Sequence, residues 1–222
     1  MNGYKAGGFM SAIKIRQAQK EDAAFLAWLI LTAGRAHVKR GIWEVILGSS
    51  EKDCLAFLEM VAVTQTPHLF QHTCYLVAEL DGQPVAGLGG YDPNKLGYPA
   101  LQKALTEVFS QIGLNPDETN RNESPRILDC VPDAVEGAWI IDSVATLPEH
   151  RRKGFVDRLL EEIIEKGRRQ GFQRIQINIY IGNVAAQRAY EKHGFKIIDE
   201  KCDPYFEEQI GSPGMARLLL DN

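Results

Sequence analysis

The residue types best suited to chemistry cluster in one run, Val144-Ala-Thr-Leu-Pro-Glu-His-Arg151-Arg-Lys-Gly154-Phe-Val156. An apolar, strand-like stretch ends there in a loop carrying Arg151, Arg152, Lys153 and Gly154, and a helical pattern begins at once. The first turn of a helix offers unpaired N–H groups and the positive end of the helix dipole, and glycine lets a ligand approach the backbone. Such a loop suits a phosphate or pyrophosphate. Taken alone, it reads equally well as a solvated basic loop on an amphipathic helix. Two further residues carry proton chemistry. Tyr190 is a hydroxyl donor at neutral pH, or else a ring packed with Ala186 and Phe195. Asp142 lies among isoleucines in AWIIDSVATL, where strand alternation puts it on one face with Ile140 and Val144. Apolar surroundings raise a carboxyl pKa toward the range of a useful proton acceptor. The rival reading is a structural carboxylate that hydrogen-bonds nearby backbone, which would leave Glu136 or a water chain as the base.

These residues need elements to hold them. AIKIRQA, residues 12–18, alternates as a first strand, and a strongly apolar helix, AAFLAWLILTA, opens after Lys20, Glu21 and Asp22 with Gly34 as its stop. A second helix is expected over 51–63. TCYLVAEL and PVAGLGGY flank Asp81-Gly82, the dipeptide favoured by the tight turn of a hairpin. Residues 92–137, broken by Pro93, Pro99, Pro116, Pro125 and Pro132, read as an insertion with one helix over 100–112. It either shapes the site or forms a contact between two copies. AWIIDSVATL is then a strand, and 154–169 a helix with Phe155, Val156, Leu159, Leu160, Ile163 and Ile164 on one face. RIQINIYI is a strand, 183–193 a short helix, and GFKIIDE and ARLLL are strands.

The order Arg151-x-x-Gly154, helix, strand, then Asn183-x-x-Ala186-x-x-x-Tyr190-x-x-x-Gly194-Phe195 resembles the GNAT N-acetyltransferase superfamily. The first motif is similar to that family's R/Q-x-x-G-x-G/A acyl-CoA signature, with Val156 where the family usually has Gly or Ala. The second is similar to its Asn…Tyr…Gly-Phe stretch. The resemblance implies an α/β fold, a mixed sheet of about six to seven strands flanked by helices, whose fourth and fifth strands splay to admit the pantetheine of acetyl-CoA. It implies that Val144, Ala145 and Thr146 meet the pantetheine, and that the amides of Arg152, Lys153, Gly154, Phe155 and Val156, with Arg151, bind the pyrophosphate. Asn183 would contact the pantetheine arm or hold the helix of Tyr190. Tyr190 would protonate the leaving sulfur, and Asp142 would serve as base.

Acetyl transfer to nitrogen needs such a base: an alkylamine with a pKa near 10.4 leaves only ~1 molecule in 10³ uncharged at pH 7. The acid-rich run Asp199-Glu-Lys-Cys-Asp-Pro-Tyr-Phe-Glu-Glu208, if it lines the cleft, selects a small cationic acceptor. A protein amine and an acyl-CoA sensor without turnover are the alternatives.

Composition bounds the rest. The 222 residues include 25 Lys and Arg against 29 Asp and Glu, a net charge of −4, which argues against broad nucleic-acid or anionic-membrane binding. That length favours one domain over 12–222 behind a flexible tail at 1–11. Cys54, Cys74, Cys130 and Cys202 are scattered, with no CxxC and no Cys/His cluster, so no metal is expected and a cytoplasmic, reduced setting is. His68 and His72 lack a third ligand. Trp28 and Trp43 are expected in the core. The longest apolar run, residues 23–31, is shorter than the ~20 residues a membrane helix needs.

Overall fold

The computed structural model describes residues 13–113 and 125–221. The tail expected at 1–11 and the middle of the 92–137 segment lie outside them. Seven strands form one sheet: β1 (Lys14–Gln17), β2 (Tyr75–Leu80), β3 (Gln83–Tyr91), β4 (Ala138–Thr146), β5 (Arg174–Tyr180), β6 (Lys196–Cys202) and β7 (Gly214–Asp221). Their order across the sheet is β1-β2-β3-β4-β5-β7-β6, and β4–β5 is the parallel pair. The β2–β3 hairpin closes through Asp81 (φ 52°) and Gly82 (φ 80°), with Leu80 opposite Gln83. Both turn residues are left-handed, as a primed turn matched to strand twist requires.

Helices cover both faces. Helix α1 (Ala23–Arg35) crosses one, where Leu26, Ile30, Val61, Val77 and Ile140 form a core shared with α3 (Glu51–Ala62). Between them lies α2 (Ile42–Leu47), and after β3 come α4 (Pro93–Leu96) and α5 (Tyr98–Gln111). Helix α6 (Phe155–Arg169) covers the opposite face, burying Phe155, Leu159, Leu160, Ile163 and Ile164 against Ile141, Ile175 and Ile177. Its close seat depends on Gly90, where a Cβ would stand 2.6 Å from Ile163 Cγ1 and 2.7 Å from Trp139 Nε1. Helices α7 (Val184–Glu191) and α8 (Pro204–Ile210) precede β6 and β7.

Two departures from sequence expectation bear on the site. The acid-rich run is the end of β6 and most of α8, capped by Asp203 Oδ1 accepting from Phe206 N–H at 2.8 Å. And β4 does not alternate to its end. Gly87 pairs with Ala145 but Gly89 with Asp142, so β4 advances three residues for two on β3, and Ser143 takes up the excess at φ 55°. This is a β-bulge, which bends a strand and re-aims its side chains. Ile140 therefore packs on the α1 side while Val144 packs on the α6 side, and the expected common face of Ile140, Asp142 and Val144 is broken.

The edge strand β1 is tied down by charge. Arg16 donates to Asp22 at 2.7 and 2.9 Å and to Glu79 at 2.6 Å, while Asp22 also accepts from Gln19 N–H at 2.8 Å. Burial pushes the Asp22 carboxyl up, but Arg16 and the Gln19 amide outweigh it and hold the pKa below the usual value. A depressed folded-state pKa contributes stability above the unfolded pKa that is lost as pH falls through the folded one. Asp22→Asn should thus cost about 1–2 kcal/mol at pH 7, with partial screening at Arg16. Urea unfolding should show the gap between variant and wild type closing below about pH 4.

Candidate active site

Pairing between β4 and β5 covers only residues 138–141 against 174–177. Beyond Ile141 the strands separate, with β4 held to β3 and β5 to β7. A cavity of about 780 Å³ opens at this fork, walled by residues 142–146 of β4 and 177–180 of β5. Arg151, Val156, Asn183 and Tyr190 also line it.

The loop above the cavity is shaped by its backbone. Pro148–His150 makes one tight turn, Arg151 is extended, and Arg152 (φ 60°) and Gly154 (φ 81°) are left-handed. Gly154 starts α6 without any side-chain cap. Among the described residues, no N–H from residues 152–157 finds an acceptor. A row of free N–H groups at the start of a 15-residue helix is chemically suited to an anion. Arg151 Nε donates to Thr146 O at 3.3 Å, which holds its guanidinium at the cavity wall. The Arg152 and Lys153 side chains are exposed and the Phe155 ring is in the core; of residues 152–156 Val156 alone lines the cavity, and the free amides of the others lie on the loop between it and Arg151. Thr146 Oγ1 and His150 Nδ1 are buried polar atoms with no partner among the described residues. Such atoms are costly unless a ligand or water completes them.

Asn183 Oδ1 accepts from Ala186 N–H at 3.3 Å and so starts α7, the helix that carries Tyr190. Tyr190 is buried, tilted against Phe195 with ring centres 6.2 Å apart. Its hydroxyl has no hydrogen-bond partner among the described residues. Burial, reinforced by the nearby Asp142 charge, pushes the phenol well above its ordinary pKa and keeps it protonated. The Asp142 carboxyl is itself pushed up by burial, against the opposing pull of Ser143, whose Oγ donates to Oδ1 at 3.1 Å.

Sequence reasoning missed the company Asp142 keeps. Its charge also acts on Tyr75, Tyr91 and Tyr180, and Tyr180 donates its hydroxyl to Gly34 O at 2.6 Å. These rings come from β2, β3 and β5, and no spacing in the sequence links them. Trp43, expected in the core, packs against it with one side and lines the cavity with another.

Other expected contributors are elsewhere. None of the acids in residues 199–208 lines this cavity, but Asp203 lines a second pocket that shares Tyr98, Leu128, Val131 and Pro132 with it. Asp199 pairs with Arg217, Phe206 is buried against Tyr180, and Tyr205 lies under Arg126. Glu136 does not line it either. His68 is fully buried between Val61 O at 3.1 Å and Thr64 Oγ1 at 2.9 Å, and burial lowers its pKa to about 4. No group of three metal-ligating side chains occurs among the described residues. No helix among them is long and apolar enough to cross a membrane.

The same architecture occurs in solved acetyltransferases. One acetyltransferase structure is 20% identical, covers 94% of this chain and 98% of its own, and superposes with a TM-score of 0.68. An N-acetyltransferase from Staphylococcus aureus is 21% identical, covering 93% and 100%, with a TM-score of 0.66. The yncA protein of Salmonella typhimurium, solved with its cofactor acetyl-CoA, is 19% identical, covering 95% and 94%, with a TM-score of 0.53. At these identities the likeness shows a shared fold. No curated protein matches the sequence significantly. The family model for the Acetyltransferase (GNAT) family matches residues 50–195, more than half of the chain, from α3 through β4, the anion loop and Tyr190 to Phe195. With the forked strands and the free amides of the loop already in place, that match makes this chain a member of the GNAT family of acetyltransferases.

Proposed function

We propose that this protein moves the acetyl group of acetyl-CoA to the nitrogen of a small primary amine by direct attack while both are bound. The observation that supports the reading is that Asp142, Tyr190, Arg151 and Val156, the last with a free amide in the first turn of α6, line one cavity. The amides of residues 152–156 and the Arg151 guanidinium would hold the pyrophosphate. Val144, Ala145 and Thr146, on a β4 segment that β5 no longer pairs, would hold the pantetheine arm. Acetyl-CoA supplies an acetyl carbon already activated as a thioester. Asp142 takes a proton from the ammonium of the acceptor and frees its lone pair, and Tyr190 offers its hydroxyl proton to the departing sulfur. Overall one C–N bond forms and one C–S bond breaks, while the nitrogen loses two protons: the first leaves through Asp142 to solvent, and the second, shed once the nitrogen has attacked, restores the proton that Tyr190 gives to the sulfur.

A small acceptor suits the site because elements from both ends of the fold surround its far side: the end of α1, α2, and the α4–α5 segment inside residues 92–137. The described part of that segment would thus shape the acceptor site. Of the acids expected to select a cation from residues 199–208, Asp203 alone borders the site, with Asp129 and Asp133 in an adjoining pocket that shares Tyr98, Leu128, Val131 and Pro132 with the cavity. Acetyl-CoA at 100 times its Kd should stabilise the fold by about 2.7 kcal/mol in urea unfolding. Release of thiol from acetyl-CoA on addition of a panel of primary amines tests turnover. Stabilisation without thiol release from any amine would point instead to an acyl-CoA sensor.

A further inference from the structure

We infer that the acceptor is a monoamine whose remainder is apolar and bulky, seated among Trp43, Phe57, Phe70, Tyr98 and Phe109. This rests on the transfer reaction proposed above and names the substrate class of the same site. Two observations lead to it. First, among the described residues Asp142 and Arg151 are the only carboxylate and the only cationic side chain on the cavity wall. Arg151 is anchored beside the amide loop, so Asp142 alone remains to receive an ammonium. A second ammonium on a diamine would lose water among these rings and find no second carboxylate there, a costly exchange; the next described carboxylates, Asp129, Asp133 and Asp203, line an adjoining pocket that meets the wall at Tyr98. Second, the wall beyond Asp142 is aromatic. Trp43 meets Phe70 edge-on at 5.1 Å, and Phe57 lies 5.9 Å from Phe109. Leu47, Leu101 and Leu105 fill the gaps between them.

The chain makes room for this wall. A Cβ on Gly34 would stand 2.8 Å from Trp43 Cδ1, and one on Gly41 would stand 2.4 Å from Gly34 O. The two glycines let α2 close on the end of α1 and carry the indole over the cavity. Apolar space of this kind has two conceivable occupants, the side chain of the acceptor or an acyl chain longer than acetyl. The side chain is favoured because the aromatic wall is built by α2, α3 and α5, on the far side of Asp142 from the amide loop.

The test is thiol release by the full-length protein with 2-phenylethylamine, tryptamine and 3-methylbutylamine against putrescine, spermidine and glucosamine. The apolar amines should exceed the polar ones in kcat/KM by roughly 100-fold or more. Phe109→Glu, which adds a carboxylate to the wall, should lower that ratio by at least tenfold, while Phe109→Leu should largely keep it. Preference for spermidine or glucosamine would overturn the inference and leave the transferase reading intact. So would a faster reaction of glucosamine with octanoyl-CoA than with acetyl-CoA. If no amine releases thiol, the transferase reading fails. Calorimetry of 2-phenylethylamine with the CoA-saturated protein then decides separately: heat of binding upholds the apolar amine site, and none overturns it.

Discussion

Tyr190→Phe is expected to lower kcat by roughly one to three orders of magnitude while the Kd for acetyl-CoA stays within about twofold. The substitution removes one oxygen from a buried ring that keeps its place against Phe195 and on α7. Because that oxygen bonds to nothing among the described residues, its loss breaks no contact in the fold. Urea unfolding of the variant should match wild type or show a slight gain, since an unpaired buried hydroxyl contributes little. The loss belongs in the chemical step. Burial and the Asp142 charge hold the phenol protonated, and a protonated donor matters only when a poor leaving group must depart. Single-turnover measurement of thiol release, with acetyl-CoA affinity by calorimetry, separates the two quantities. An unchanged kcat would remove Tyr190 from the chemistry and make it a packing residue.

How much of this was readable beforehand follows from where each signal resides. Helix α6 and the hairpin are written locally, one in a helical repeat of apolar residues and the other in Asp81-Gly82. The anion loop is similarly compact, and its free amides follow from a helix that begins at Gly154 without a cap. The short helices α2, α4 and α8 escaped because one or two turns show no period. Their marks are caps alone, such as Asp92 and Asp203 followed by proline. The bulge at Ser143 escaped for a deeper reason. Strand alternation assumes one residue per pleat, and nothing in AWIIDSVATL announces the extra one, whose register is set by β3. The aromatic wall and the tyrosines around Asp142 converge from elements tens of residues apart, so only the folded topology brings them together.

The bulge and the fork fall at the same point of β4. Where β5 leaves, the β4 edge loses a partner, and the left-handed residue at Ser143 turns the following side chains. Val144 then faces α6 and the loop, while Asp142 stays on the α1 side with Tyr75 and Tyr91. Under the proposed reaction, one extra residue would divide β4 into a stretch for the cofactor and a position for the acceptor.

Asp142→Asn should have the larger kinetic effect, a loss of about 10²–10⁴ in kcat/KM, and its pH dependence identifies the role. In wild type the base form of Asp142 is lost as pH falls through its pKa. Burial places that pKa above the ordinary carboxylate value, so the acidic limb of the profile should sit higher than an exposed aspartate would put it. In the variant that limb should vanish, and the residual rate should rise with pH as free amine becomes available. Stability supplies an independent sign. A carboxyl whose folded-state pKa is raised favours folding less as pH climbs from the unfolded pKa to the folded one, because the native state must release a proton it holds more tightly. Removing the charge should therefore leave the variant at least as stable as wild type at neutral pH, and Ser143 Oγ can still donate to the amide oxygen. A carboxylate kept for structure would give the opposite pattern: a destabilised Asp142→Asn with an intact pH–rate profile. Urea unfolding at pH 7 beside the pH–rate profile of thiol release distinguishes them, since a proton acceptor held at a cost to the fold loses activity and not stability when neutralised.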